Sequence, residues 1–429
     1  MSSTARPATY RDVFSVREYR ALFASDVTSL LGDQVAAVAL AVLLYQRSGS
    51  ALIASLGYAT AYLPWAIGGP LLSALADRMP PRRVLVGADL ARAGLIGLAA
   101  IPGLPLPALG LLVLLAAFLA PPFDASVSAL YPQVLPGDRY ALGVSIKDMV
   151  HQSAQLAGFA AGGALVAAVG SHGALALDAV SFALSAALLR TGLRHRPAAV
   201  AAGERSHLAR EAAEGLRIVV GDRRLYGPLL LGIVGSGYVI VPEAIAPAYA
   251  QELSGGPRTV GLIMAAVAGG SVVGGLLLAR LVRPAMRRRL MWPLAMVGTV
   301  PLMLIATRPP LGLALGLLAL AGLASAYQVA ANTAFAAAAP AHARARVFGI
   351  AMTGMFAGQG LAIVLAGAST QVFGAQAVIA AAGVLGAITV GLLRPTLTTG
   401  GHRAVRPRRA ARAPRARGSR RAPTAHPAI

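Results

Sequence analysis

"GGPLLSALADRMPPRRV" (68–84) comes back 206 residues later as "GGLLLARLVRPAMRRRL" (274–290). In each copy an apolar run ends and arginines follow at once. The same offset pairs Leu71 with Leu277, Arg82 with Arg288, Arg83 with Arg289, Gly143 with Gly349 and Met149 with Met355. A repeat of this length in an apolar chain points to two related halves in parallel orientation.

Composition sets the solvent. Of 429 residues, 56% are hydrophobic and 13% are charged, with a mean hydropathy of +0.67. A soluble domain carries about 25% charged residues, so an integral membrane protein is expected. A spanning helix needs about 20 mostly apolar residues. The stretches that qualify are 20–45, 51–76, 84–102, 107–131, 142–169, 173–191, 225–250, 258–280, 288–307, 309–335, 347–371 and 375–394. They are continuous apolar runs and not the short alternating segments of a barrel. The expected fold is therefore an all-α membrane protein with twelve transmembrane helices in two pseudo-symmetric six-helix bundles.

Charge placement orients the chain. With both termini and the even-numbered connections in the cytoplasm, only Arg47, Arg258 and Arg308 lie outside, and Arg92 lies within the third span. This positive-inside pattern accounts for most of the net charge of +22. The opening 20 residues are polar and charged, and the first apolar run lacks a small-residue cleavage site, so it is expected to stay as an anchor. The expected organisation is an N-terminal half (1–191), a cytoplasmic linker (192–224), a C-terminal half (225–394) and a disordered basic tail (395–429). In the linker, Leu208, Ala212, Leu216, Val219 and Val220 fall near helical spacing, which predicts an amphipathic surface helix. The Arg-Pro-Ala tail has no aromatic residue to stack on a base. Anionic lipid is its expected partner, and nucleic acid is not. With no cysteine, zinc–thiolate and disulfide chemistry are excluded. No metal, cofactor or enzyme motif is expected.

Residues 73–85, "SALADRMPPRRVL", resemble the loop between helices 2 and 3 of the major facilitator superfamily, Gly-x-Leu-Ala-Asp-Arg-x-Gly-Arg-Arg. Leu75, Ala76, Asp77, Arg78 and Arg82 match. Ser73 and Pro80 stand where the pattern has glycine and Pro81 where it has arginine, and Arg83 restores a basic pair. "LGDQVAAVALAVLLYQRSGS" (31–50), "ALYPQVLPGDRYALG" (129–143), "ALDAVSFALSAALL" (176–189) and "ARVFGI" (345–350) are similar to the branch holding the enterobactin exporter and drug efflux proteins. The resemblance implies that Asp77 caps a helix across its half and holds the cytoplasmic side closed. Arg78, Arg82 and Arg83 would pair with it or with lipid phosphate; a solvated loop is the alternative. "GFAAGG" (158–163) stands where the family's antiporters carry Gly-Pro-x-x-Gly-Gly, with Phe159 in place of proline. Gly158 and Gly162 also form a small-xxx-small face for close helix contact.

The polar residues inside the spans carry the functional expectation. Asp26 and Asp33 are seven residues apart, 20° short of two full turns, so they share one face of span 1 about 10 Å apart. Each costs on the order of 2.5–3.5 kcal/mol at a helix centre, so a water-filled cavity or a partner is expected. Asp124 lies on span 4 and Glu243 on span 7; Tyr327, Gln328, Asn332 and Thr333 lie on span 10. In the family fold, helices 1, 4, 7 and 10 line the central cavity. Each residue has a structural alternative: an interfacial position for Asp26, a helix cap for Asp124 beside Pro121 and Pro122, the outer mouth for Glu243, and interhelical contacts on span 10. Asp178 is expected to be structural, Asp89 and Arg92 to pair with each other, and His151 to join Lys147 and Asp148 at a loop end.

An apolar cavity disfavours a charged carboxylate. The expected mechanism is proton antiport with alternating access: Asp33, with Asp26, Asp124 or Glu243, takes a proton from outside and the halves rock about a midplane site. The expected substrate is a small amphipathic molecule such as a drug, antibiotic or siderophore-like metabolite. The expected protein is a monomer in the inner (plasma) membrane. A proton-independent facilitator or uptake transporter, and a sensor or scaffold on the same fold, remain the alternatives.

Overall fold

The computed structural model describes residues 8–67, 79–197, 208–340 and 343–398. Helix is the only repeating structure among them. We number the main helices α1 Arg17–Ser48, α2 Ala51–Ala59, α3 Pro81–Ala99, α4 Leu106–Val134, α5 Asp138–Gly192, α6 Leu208–Gly221, α7 Arg223–Ala244, α8 Pro257–Leu281, α9 Met286–Thr307, α10 Leu311–Ala338, α11 Arg346–Phe373 and α12 Ala375–Pro395. Nine of these are long and apolar enough to cross a membrane. Every expected span carries helix. α2 runs toward the undescribed residues 68–78, and α3 carries Asp89 and Arg92 within 19 residues.

The 55-residue α5 is two rods. Gly170 (φ 74°, ψ 168°) breaks it, a backbone conformation that only glycine adopts without strain. The reversal falls where the sequence places the tight turn between spans 5 and 6. Prolines explain other interruptions: Pro121 and Pro122 open the second half of α4, Pro242 breaks the far part of α7, and Pro247 lies in the first turn of the short helix Ala246–Glu252 that follows it.

One end of the bundle holds the start of α1 and the end of α12; we call it the terminal end and the other the distal end. α1 packs along α5, and α3 packs between α5 and α4. In a second group α8 packs on α10, while α7 packs on α10, α11 and α12. The two groups meet where α5 crosses α8 and where α2 lies on α11. The cores show how they meet. One hydrophobic cluster draws from both groups, its first-group members all lying in the distal half, and includes Val38, Tyr58, Phe159, Tyr249, Ile263 and Ile363. At the terminal end each group has its own cluster. One is built on Tyr19, Leu22, Tyr131 and Leu189, the other on Leu225, Phe335 and Val347. Among the described residues the two groups thus pack together distally and keep separate cores at the terminal end.

Lipid supplies no hydrophobic drive between helices, so contact depends on close van der Waals packing. At the α5–α8 crossing, a Cβ on Gly261 would lie 2.6 Å from the Phe159 carbonyl oxygen, and one on Gly163 would lie 2.8 Å from the Gly261 Cα. The expected glycine face of "GFAAGG" also packs: Gly158 and Gly162 lie against Gln34 and Val35 of α1.

The linker helix has a packed face of its own. α6 is a helix, but its packed face is Gly215 and Val219, while Leu216 and Val220 are exposed. The contact is with the start of α11, where Arg346 pairs with Glu214 at 2.7 Å. A small residue lets the two backbones approach, which a scan for large apolar residues cannot register. The Asp77 and Arg78 expectation, the linker around 198–207 and the tail beyond 398 lie outside the described residues.

Candidate functional site

α1 sets the site. Its 32 residues rise about 48 Å, which puts Asp33 at the midpoint and Asp26 about 14 Å from the terminal end. Ser25, Ser29 and Leu30 are buried, while Asp26 is half-buried and Asp33 is open to a water-sized probe. Asp33 is thus an exposed carboxylate at mid-span, where a bare charge is costly. The charged groups facing Asp26 are Lys147, Asp124 and His151; those facing Asp33 are Arg92, Asp124 and Asp26. Among the described residues, none of the Asp26, Asp33 and Asp124 carboxylates has a hydrogen bond or an ion pair. The structure makes these three acids one another's neighbouring charges. Asp124 is half-buried and does not cap its helix, whose cap is Leu119.

Behind this face lies a layer that the sequence reading assigned otherwise. Asp89 and Arg92 do not form an ion pair with each other. The Arg92 guanidinium lies between the rings of Phe123 (5.6 Å) and Phe182 (5.2 Å), and Asp89 accepts from the Ser185 hydroxyl at 2.5 Å. Ser185 and Ser25 share a further hydrogen bond at 2.8 Å, which fastens α5 to α1. Asp178 lies about 12 Å below the Gly170 turn, in the interior and not at the mouth. It stacks on Gly32, where a Cβ would meet its Oδ1 at 2.3 Å. Asp33 and Arg92 are the charges around it. His151 and Lys147 are likewise among the charges near Asp26, and Lys147 reaches the Tyr131 ring at 5.8 Å. The missed signal was simple: Asp89 and Arg92 are charges in an apolar span, and their spacing of three gave them a local pairing; buried Asp178 accepts from Ser181 and is structural.

Glu243 is buried in the distal seal. The Tyr58 hydroxyl donates to its Oε2 at 2.8 Å, across the two groups. Nearby, the Tyr45 hydroxyl donates to the Gln251 side chain, and the Gln371 amide donates to Ser50 at 2.5 Å. These are also cross-group contacts, so Glu243 belongs to the surface that must part for the distal end to open.

On α10 the four candidates separate. Tyr327 is fully buried, and its ring fills the space left by the missing side chain of Gly235. It is a core residue, contrary to the cavity expectation. Gln328 is half-buried and Asn332 and Thr333 are exposed; the Thr333 hydroxyl bonds back to the Val329 carbonyl at 2.7 Å. Of the loop residues, Arg82 donates to the Arg190 carbonyl and so caps the end of α5, while Arg83 is exposed. At the same end Glu18 accepts two bonds from Arg196, at 2.7 and 2.8 Å, which hold the guanidinium above its ordinary proton affinity.

Comparison with known proteins places this geometry. The model of the Major Facilitator Superfamily matches residues 22–243 and again residues 237–426. The chain is similar to the multidrug efflux pump Tap of Mycobacterium tuberculosis, with 30% identity over 383 residues covering 83% of this chain and 87% of that protein. It is also similar to macrolide efflux protein A of Streptococcus pyogenes, with 23% identity over 274 residues, 61% of this chain and 66% of that protein. Among solved structures, an inward-facing, occupied bacterial homolog of the human lysosomal transporter Spinster gives a TM-score of 0.70. Its identity is 14%, over 91% of this chain and 98% of that chain. The nucleoside transporter NupG gives 0.67 at 13% identity, over 88% and 99%. At such identities the likeness is one of fold.

Proposed function

The chain belongs to the Major Facilitator Superfamily, and on that premise we propose that it exports drug-like amphipathic compounds across the cell membrane in exchange for protons. Membership makes it a transporter of small molecules and not an enzyme. The names of its relatives favour efflux. The observation that carries proton coupling is Asp33, an exposed carboxylate at the midpoint of α1 with no hydrogen bond or ion pair among the described residues.

Asp33 and Asp26 take protons when the cleft opens outward and release them when it opens to the cytoplasm, at the terminal end. Asp124 shares their face and raises the cost of keeping all three charged. A cationic or neutral substrate competes with protons for this face, so loading one expels the other. The rocking step breaks the distal contacts around Glu243 and closes the terminal ends. The acid-rich cleft favours cations over anions. The two halves divide at the linker 192–224, and the termini lie in the cytoplasm with the arginines.

The test uses full-length protein in proteoliposomes, with ethidium as the transported probe. Vesicles with an acid lumen should accumulate ethidium faster than vesicles without a gradient. Asp33→Asn should remove that difference and leave gradient-free exchange. Equal wild-type rates with and without the gradient would reject proton coupling and leave a facilitator.

A further inference from the structure

At the terminal end, on the outer face of the first group, a groove of about 400 Å³ runs between the start of α3 and the end of α5. Its mouth is basic: Arg82, Arg83, Arg190 and His195. Its floor is apolar: Val86, Gly87 and Leu90 of α3. Arg82 is engaged with the Arg190 carbonyl. The Arg83, Arg190 and His195 side chains are exposed, and none of the three has a hydrogen bond or an anionic partner among the described residues. The neighbouring acid, Glu18, is already spent on Arg196 and the Arg194 amide. The floor is open to the membrane, because Leu90 is 52% exposed and a Cβ at Gly87 would meet nothing within 4 Å.

A cationic mouth at headgroup depth above an apolar floor at acyl-chain depth matches one kind of ligand. We infer that this groove holds an acidic glycerophospholipid, its phosphate on Arg83, Arg190 and His195 and an acyl chain along Val86, Gly87 and Leu90. Charge complementarity chooses the headgroup, since a zwitterionic lipid would leave the basic cluster uncompensated. Apolar depth chooses a lipid over a free anion, since inorganic phosphate would leave the floor in contact with other lipid chains and gain nothing from it. The site joins α3 to α5 on the outside of the group, and it depends on neither substrate nor transport direction.

The chain has no cysteine, so Leu90→Cys gives a unique attachment point for a bimane fluorophore. The labelled full-length protein is placed in phosphatidylcholine nanodiscs doped with brominated phosphatidylglycerol or with the same fraction of brominated phosphatidylcholine. The acidic lipid should quench at least about twofold more strongly, given an attraction of about 1 kcal/mol per basic residue near the surface. The same label on Leu361→Cys, in the middle of α11 and exposed, should show no preference. Arg83→Gln with Arg190→Gln should reduce the acidic lipid to the zwitterionic level. So should Gly87→Phe, which keeps every charge and fills the groove. Equal quenching by the two lipids at position 90, a preference shared by position 361, or a preference surviving both variants would overturn the site. Loss of the preference on adding inorganic phosphate at constant ionic strength would overturn it in favour of a phosphate site.

Discussion

The Tyr58 hydroxyl and the Glu243 carboxylate are joined at 2.8 Å, one from each helical group, and both residues are buried. Tyr62 packs beside Tyr58, with ring centroids 5.8 Å apart, and continues the contact toward Phe356. The bond can exist only while the distal end is shut. Tyr58→Phe leaves a buried carboxyl without its donor, at a cost of about 1–3 kcal/mol to that state alone. The equilibrium should therefore move about 5–150-fold toward the distal-open form. Spin labels on Arg47→Cys and Arg258→Cys, both exposed at the distal end, read the gap directly. A distance distribution unchanged by Tyr58→Phe would show that the bond does not hold the seal.

The glycine crossing gives an independent handle on the same equilibrium. Gly261→Ala puts a methyl group 2.6 Å from the Phe159 carbonyl and 2.7 Å from the Gly163 Cα. Both obstacles are backbone, so relief requires that α5 and α8 separate. Overpacking of this kind costs about 1–3 kcal/mol. The same spin-label pair should report opening, and ethidium transport should slow because the closed state is disfavoured. Normal transport together with a closed distal end would mean that the crossing has more slack than its contacts imply.

Tyr327 separates a core role from a substrate role. Its hydroxyl is buried without a well-formed hydrogen bond among the described residues, with the Tyr238 and Gln328 side chains close by, and its ring occupies the place of a side chain on Gly235. Tyr327→Phe should leave stability within about 0.5 kcal/mol of the parent or raise it, because no well-formed bond is lost. Gly235→Ala should destabilise by about 1–3 kcal/mol through overpacking. Thermal unfolding in detergent checks both. A selective loss of ethidium binding in Tyr327→Phe would return the residue to the cavity.

Legibility in the sequence followed the physics of each signal. Apolar run length and arginine placement are properties of the chain in lipid, and they located the helices and the Gly170 turn. The seven-residue spacing of Asp26 and Asp33 is a property of one helix, and their common face followed from it. What failed needed two helices at once. Asp89 and Arg92 stand three apart on α3, yet Arg92 finds Phe123 and Phe182, and Asp89 finds Ser185. Tyr58 gave no local sign that it would meet Glu243, 185 positions away. Tyr327 read as polar cavity lining because Gly235, which makes room for it, lies on another span.

Arg92 yields the most discriminating prediction, because two roles are superposed on it. As a packed group it fills the space between two phenyl rings; as a charge it faces Asp33, Asp89 and Asp178. Arg92→Met keeps most of the volume and removes the charge, and the carboxylates around it lose their one arginine. Removing one partner of a buried charge system costs about 3–5 kcal/mol, so a lowered Tm in detergent is expected. Arg92→Lys should not rescue fully, since an ammonium cannot stack flat between two rings as a guanidinium does. If charge dominates, adding Asp178→Asn to Arg92→Met should restore part of the loss, with a coupling of at least about 1 kcal/mol. Asp89→Asn should restore less, because Ser185 already satisfies one of its oxygens. Strictly additive losses in both double variants would show that Arg92 serves as packing, and the counter-charge role would then have to be abandoned.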